Sequence, residues 1–480
     1  MHQSKLFEFL RAFSPRQLAR FGAFLDSPYF NKSVELRQFY ALLEPFGPAF
    51  QDPRLEKQAL LGHSGPAKPL TEKRLAYLMN QLLGLAEEFI AVDTMRADPL
   101  KARFQLVEAI NPGHLPRHYK SALEKAAQAL EQFPYRNADY FAERYHLKAL
   151  QYWRFDSDPQ QINPDLQPAS DALDTFFLVE KLRFCWAMAD FESIFNLKYD
   201  WGLSRWLLDY IDQTQPQLDP AAEIYLTGVR MTLHSEDTSW FYRLKALLHA
   251  HAGAFNESEQ RFLYSSLINY CARRINRFND PVFSREYLEI NKMGLERGLL
   301  FENGLLSPWH YINLVNTALR TGDPGWALRF MEQYRDRLPA AYREDMYLMA
   351  MGQYHFHQGE YEQAQVLLHQ TNPRDVQLAV LVRNLLSRIY YETGETELLL
   401  AFLEAYRIFL LRQNLLSPRM KRQARHFVDF TRRLAKIERP EAHLLPKLKA
   451  ELPGAADIVH REWLERQIDQ KMAAYKVRVG

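Results

Sequence analysis

Residues 346–368 read MYLMAMGQYHFHQGEYEQAQVLL, and their spacing decides the fold. Leu348, Met351, Gly352 and His355 recur at steps of three and four before Gly359, and Tyr361, Ala364 and Leu368 do so after it. Each half therefore predicts a helix with one buried stripe. Gly359 can adopt the left-handed backbone that ends the first helix, and the small Gly352 and Ala364 let two helix axes approach where their ridges cross. The segment predicts an antiparallel helical hairpin.

The same unit recurs on either side, with turns at Gly322 and Gly394, which lie 37 residues before and 35 residues after Gly359. The first copy keeps Leu314, Gly322, Ala327 and Pro339, and the third keeps Leu386, Tyr390, Gly394 and Leu403, with Leu399 where the middle copy has alanine. These three units resemble tetratricopeptide repeats over roughly a quarter of the chain. The resemblance implies stacked hairpins whose first helices face a peptide-binding groove.

Working outward, helix starts follow one rule, a capping residue followed by proline. Asp219-Pro220, Asp280-Pro281, Ser307-Pro308, Asp323-Pro324, Asn372-Pro373 and Ser417-Pro418 each offer a side-chain oxygen to the free amides of a first turn. Asn256 with Glu259 forms a capping box. Alternating strand patterns are essentially absent and connections are short, so helices adjacent in sequence are expected to be adjacent in space. Helices from about His118 to Leu300 read as diverged hairpins, their aromatics Phe176, Phe177, Phe184, Trp186, Phe191 and Phe195 as core.

The expected fold is all-α: an α-solenoid of antiparallel hairpins with a smaller N-terminal helical domain. The expected segments are 1–95, N-terminal helices with a long one from Thr71 to Ala91; 96–300, diverged hairpins; 301–416, tetratricopeptide-like repeats; and 417–480, basic capping helices. The stretch Phe24-Leu25-Asp26-Ser27-Pro28-Tyr29-Phe30-Asn31-Lys32 resembles the opening of an uncharacterised bacterial protein family, which implies no function.

Composition narrows the function classes. With 480 residues, 47% of them hydrophobic, the chain can bury a sizeable core, and 60 Lys plus Arg against 58 Asp plus Glu leaves no global charge to steer it. Cys185 and Cys271 are far apart in apolar helical patterns and are expected to be buried thiols of a cytoplasmic protein. Charges inside Leu6-Phe7-Glu8-Phe9-Leu10-Arg11 argue against a secretory leader, and the apolar run Leu398 to Leu411 is interrupted by Glu404 and Arg407, so no membrane span is expected.

No phosphate-cradling glycine loop, nucleophile elbow or zinc-protease helix occurs, and the expected protein is a non-enzyme without cofactor or metal. His249 with His251, and His355 with His357, are two residues apart and point to nearly opposite sides of a helix. Asp156, Asp158 and Asp165 lack the glycine and distant glutamate of a calcium loop and read as a solvated turn.

Two candidate binding features stand out. Repeat register places Asn316 and Arg320, Gln353 and His357, and Asn384 and Arg388 on the first helices, each pair four residues apart and so on one face. In tetratricopeptide proteins similar Asn and basic residues hold the carboxylate of a bound peptide, which the resemblance implies for Asn316, Asn384 and Arg388; Ile312 departs from that pattern. The implied partner is a protein or peptide, with an acidic group or a C-terminal carboxylate.

The second feature is a basic segment, with twelve Lys and Arg against three acids between Arg407 and Lys449. Lys421, Arg422, Arg425, Arg432, Arg433 and Lys436 form its centre. Lys421, Arg425, Arg432 and Lys436 share one helical face, and Ala424, Phe427, Val428 and Leu434 another. Such a row suits phosphates, an acidic protein or anionic lipid, so nucleic acid is a second possible partner. A bacterial regulator is the alternative reading: short helices around Leu55 to Leu61 followed by Thr71 to Ala91 resemble a winged-helix domain, which needs strands near residues 90–115.

Overall fold

The computed structural model describes residues 3–62, 71–110, 113–153, 162–195, 197–278, 280–454 and 458–475. Proline and capping side chains set the helix starts as expected at most sites. The carboxylates of Asp219, Asp280 and Asp323 accept from Ala221, Val282 and Trp326 amides, and the Ser417 hydroxyl accepts from Met420. Asn256 and Glu259 exchange both bonds of a capping box. Two sites differ: Ser307 precedes a helix that begins at Pro308 but its hydroxyl makes no cap bond, and after Asn372-Pro373 the next helix begins at Val376, where the Asp375 carboxylate accepts two free amides and so caps better than Asn372.

The chain is all-α. The first helices are α1 (Lys5–Arg11), α2 (Pro15–Asp26), α3 (Val34–Leu43), α4 (Lys57–Gly62), α5 (Glu72–Ala97), α6 (Pro99–Ala109), α7 (Pro116–Glu131) and α8 (Ala138–Trp153). They are followed by α9 (Leu166–Ile194), α10 (Leu203–Thr214), α11 (Pro220–Leu233), α12 (Ser239–His251), α13 (Glu257–Phe278) and α14 (Pro281–Glu296). The last group is α15 (Pro308–Arg320), α16 (Pro324–Tyr334), α17 (Arg343–Gln358), α18 (Tyr361–His369), α19 (Val376–Glu392), α20 (Thr396–Arg412), α21 (Pro418–Lys436), α22 (Leu444–Glu451) and α23 (Arg461–Tyr475). A two-residue antiparallel pair, β1 (Phe301–Glu302) with β2 (Leu305–Leu306), turns at Asn303-Gly304, both at positive φ.

Two compact units divide the chain, one of Met1–Leu182 with Thr214–Ala222 and one of Arg183–Gln213 with Glu223–Gly480. These limits differ from the segment limits drawn on the sequence at 95/96, 300/301 and 416/417.

In the first unit, Leu6, Phe7, Leu10, Phe21, Tyr40, Leu82 and Phe89 make one core from α1, α2, α3 and α5. The Tyr40 hydroxyl donates to the Leu18 carbonyl at 3.0 Å, which satisfies its one buried polar atom. Among the described helices, α5 is the one long and apolar enough to cross a membrane, with mean hydropathy 1.2, and its Leu75, Leu78, Leu82, Ala86 and Phe89 are buried in that core. Residues 72–109 are helical apart from Asp98, so the strands required by a winged helix do not occur there.

In the second unit, hairpins α15–α16, α17–α18 and α19–α20 follow one another, and their first helices pack side by side, α15 on α17 and α17 on α19. Each hairpin turns the same way. Gly322, Gly359 and Gly394 have φ of 83°, 78° and 76°, and the amide after each glycine donates to the carbonyl five residues back. A side chain at Gly352 would sit 3.0 Å from Leu368, the close approach that its small size permits.

The aromatic run on α9 differs from its reading as core. Trp186 is fully buried with Leu182, Cys185 and Ala189, whereas Phe184, Phe191 and Phe195 are exposed. The reason is angular: residues 184, 191 and 195 are seven and four apart and fall on one face, opposite Trp186. Cys185 and Cys271 are both buried. Of the acidic turn, Asp156 and Asp158 lie outside the described residues; Asp165 immediately precedes α9.

Candidate functional site

The face presented by the first helices is built from α15, α17 and α19. On α15, Leu314, Val315, Ala318 and Leu319 face inward, leaving Asn316 and Arg320 exposed. The Arg320 guanidinium donates to the Ser284 hydroxyl of α14 at 3.3 Å. On α17, Met349, Gly352 and Phe356 are buried, Gln353 is half-buried and His357 is exposed. His355 is held by Glu360 at 2.6 Å. Four of the six expected groove residues thus share an accessible row.

Asn384 and Arg388 do not join it, and this corrects the sequence reading. Asn384 is buried, its side-chain carbonyl accepting from the Tyr406 hydroxyl at 2.9 Å. Arg388 is buried with its guanidinium 4.1 Å from the Phe356 ring centre and 5.8 Å from that of Trp463. Burial, with the charge of Arg466 second, brings its pKa down to about 9. The cause is α23, which covers this end of the row: Trp463 and Gln467 both donate to the Glu392 carboxylate at 2.8 Å, and Trp463 also meets Tyr391 and Phe427 edge-on or tilted. A repeat pattern fixes which side of α19 faces the row, but gives no sign that a helix seventy residues later will lie on it.

The second candidate, the basic face, lies on α21. Ala424, Phe427, Val428 and Leu434 are buried as its spacing requires. Arg425, Arg422 and Lys436 are exposed and Lys421 is half-buried. Arg432 and Arg433 are partly neutralised: Arg432 lies 3.8 Å from Glu404 of α20, and Arg433 lies 2.6 Å from Glu451 and 3.8 Å from Asp429.

Two further features were not singled out from the sequence. A cleft of about 400 Å³ in the second unit is lined by Glu192, Trp201, Arg205, Asp209, Arg230 and His234. Glu192 there accepts from the Tyr199 amide at 2.6 Å and the Trp201 indole at 3.3 Å, so its carboxylate orders the segment before α10. The other is the buried Asn291 with the half-buried His310 at 2.6 Å. Asn291 donates its amide to the Tyr287 carbonyl, so its oxygen faces His310 and the imidazole must donate from Nε2. Burial lowers the pKa of His310 to about 4. No residue spacing announces such a pair.

Compared with known proteins, the chain matches no family model, and no curated protein or solved structure matches it significantly.

Proposed function

We propose that this chain is a non-enzymatic, cytoplasmic scaffold of tetratricopeptide type that binds a protein or peptide along the row formed by α15 and α17. The observation that carries the reading is the side-by-side packing of these helices with Asn316, Arg320 and His357 exposed on them and Gln353 half-buried. An extended peptide presents backbone donors and acceptors in sequence, and the Asn316 and Gln353 amides can meet both kinds. Arg320 supplies a planar fork to an acidic side chain or a C-terminal carboxylate. Arg388 serves the packing of α23 instead of the peptide.

The test places a photo-crosslinking residue at position 316, 320 or 357, and for comparison at position 362 on the exposed side of α18. A common partner is expected from the three row positions and not from 362. Recovery of that partner should also fall when Asn316→Ala, Arg320→Ala and His357→Ala are combined. Equal crosslinking from 362, or unchanged recovery with the triple variant, overturns the reading.

A further inference from the structure

The outer side of the α20–α21 hairpin combines two properties that the peptide-binding row lacks. The first is a line of cations. Lys421, Arg425, Arg432 and Lys436 follow at intervals of four, seven and four, so they run along one face of α21 for about 22 Å at 1.5 Å per residue. Among the described residues Lys421, Arg425 and Lys436 make no ion pair, and neither does Arg412 at the end of α20. The acids beside them are Glu404, held by Arg407 at 2.6 Å and near Arg432, and Asp429, which faces Arg433.

The second property is exposed aliphatic surface at one end of that line. Glu404 and Arg432 are neighbours across the antiparallel pair, so seven residues along α20 and seven back along α21 bring Leu411 level with Arg425. Leu411 is 49% exposed and Ile408, on the same face, 38%. The turn that joins the two helices carries Leu415 at its tip, 82% exposed. Arg412, Lys421 and Arg425 therefore surround a projecting leucine patch.

From this juxtaposition we infer that the α20–α21 hairpin docks on an anionic lipid membrane, with Leu411 and Leu415 entering the headgroup boundary and Lys421, Arg425 and Lys436 facing the lipid phosphates. Phosphates alone would satisfy the cations of α21. They would leave Leu411 and Leu415 in water, since a nucleic-acid backbone offers leucine nothing apolar to enter. A bilayer surface satisfies both, because the attraction of basic residues to anionic lipid and the burial of a few methylenes at the boundary act together. The contact is peripheral and reversible. It is independent of the α15–α17 row, so either reading can fail without the other.

Sedimentation of the full chain with vesicles tests it, using phosphatidylcholine alone and phosphatidylcholine with about one third phosphatidylglycerol. Binding to the mixed vesicles is expected, with little to the neutral ones, and it should weaken as salt is raised. Lys421→Ala with Arg425→Ala should lower partitioning by about tenfold or more. Leu411→Ser with Leu415→Ser should lower it several-fold while leaving retention of a duplex RNA unchanged. Lys120→Ala with Lys125→Ala, on α7, should change nothing, and thermal unfolding of each variant shows that it folds. No binding to mixed vesicles overturns the inference. So does binding that ignores the leucine change, which assigns the cation row to nucleic acid or to an acidic protein.

Discussion

At Gly228 in α11 the interior leaves no room for any side chain: a Cβ built there would lie 2.3 Å from the indole of Trp186, itself fully buried. The ring also stacks edge-on near Tyr225 and Phe262, so it has nowhere to move. Gly228→Ala is therefore expected to destabilise the chain by about 3 kcal/mol, the upper end of the usual cost of overpacking. Gly359→Ala acts differently. A Cβ there meets open space, but the residue sits at φ 78°, and the left-handed conformation alone costs about 1–2 kcal/mol. Urea unfolding of the two variants should keep that order, and a larger loss at Gly359 would mean the turn bears more than backbone strain. Gly359 was legible in the sequence because it interrupts a periodic stripe. Gly228 was not, since it sits inside one and its constraint comes from a tryptophan forty-two residues earlier.

Among the elements, α23 has the largest consequence for the candidate site. It buries Trp463, Leu464, Ile468 and Met472, and through Trp463 and Gln467 it fixes the Glu392 carboxylate at the end of α19. Trp463→Ala removes the ring above Arg388 and one of the two donors to Glu392. A loss of about 3–5 kcal/mol is expected, the range for a buried aromatic truncated to alanine. Hydrogen exchange should show the change first in α19 and α23, with α15 and α16 keeping their protection. Uniform loss of protection across all the hairpins would show that α23 holds the whole stack and not its end. The hairpins themselves were readable from Gly322, Gly359 and Gly394, because local spacing dictates both the stripe and the turn. The burial of Arg388 was not readable, because a helix distant in sequence covers it, and Asn384 turns instead against Tyr406 of its own hairpin, a pairing that the repeat pattern does not specify. The β1–β2 turn lies between these cases: Asn303-Gly304 carries the signal of a two-residue hairpin, but its strands are too short to alternate. The faces of α9 differ from expectation for a related reason: aromatic density suggests core, while angular position alone decides which rings are inside.

For the molecule as a whole, the division into units after Leu182 falls within α9, far past its one proline, Pro168 in the first turn, so local sequence offers nothing to mark it. Global stability carries a second property hidden from composition, its dependence on acid. His310 and His460 are both held neutral, His310 by burial at about 4, and His460 at about 3 by burial first and the charge of Arg388 second. In the unfolded chain each titrates near 6.5. Below about pH 6.5 the unfolded state therefore takes up protons that the folded state refuses, so stability falls as pH is lowered, and the loss is complete only below the folded values. The urea midpoint should stay level above neutrality and drop steadily from about pH 6.5 to 4. His460 has a φ of 55°, a conformation asparagine tolerates, so His460→Asn removes the titration without imposing a strained backbone. Combined with His310→Asn, it should flatten the profile between pH 6.5 and 4 even if both variants are less stable at pH 7. A slope unchanged in the double variant would assign the acid sensitivity to the carboxylates that pair with Arg and Lys, such as Glu35 with Arg74 and Asp323 with Lys292, whose pKa values those partners hold below the usual range. The two causes are separable by where the drop begins. Histidines act from about pH 6.5 downward, whereas ion-paired carboxylates leave the midpoint unchanged until the pH nears about 4.5.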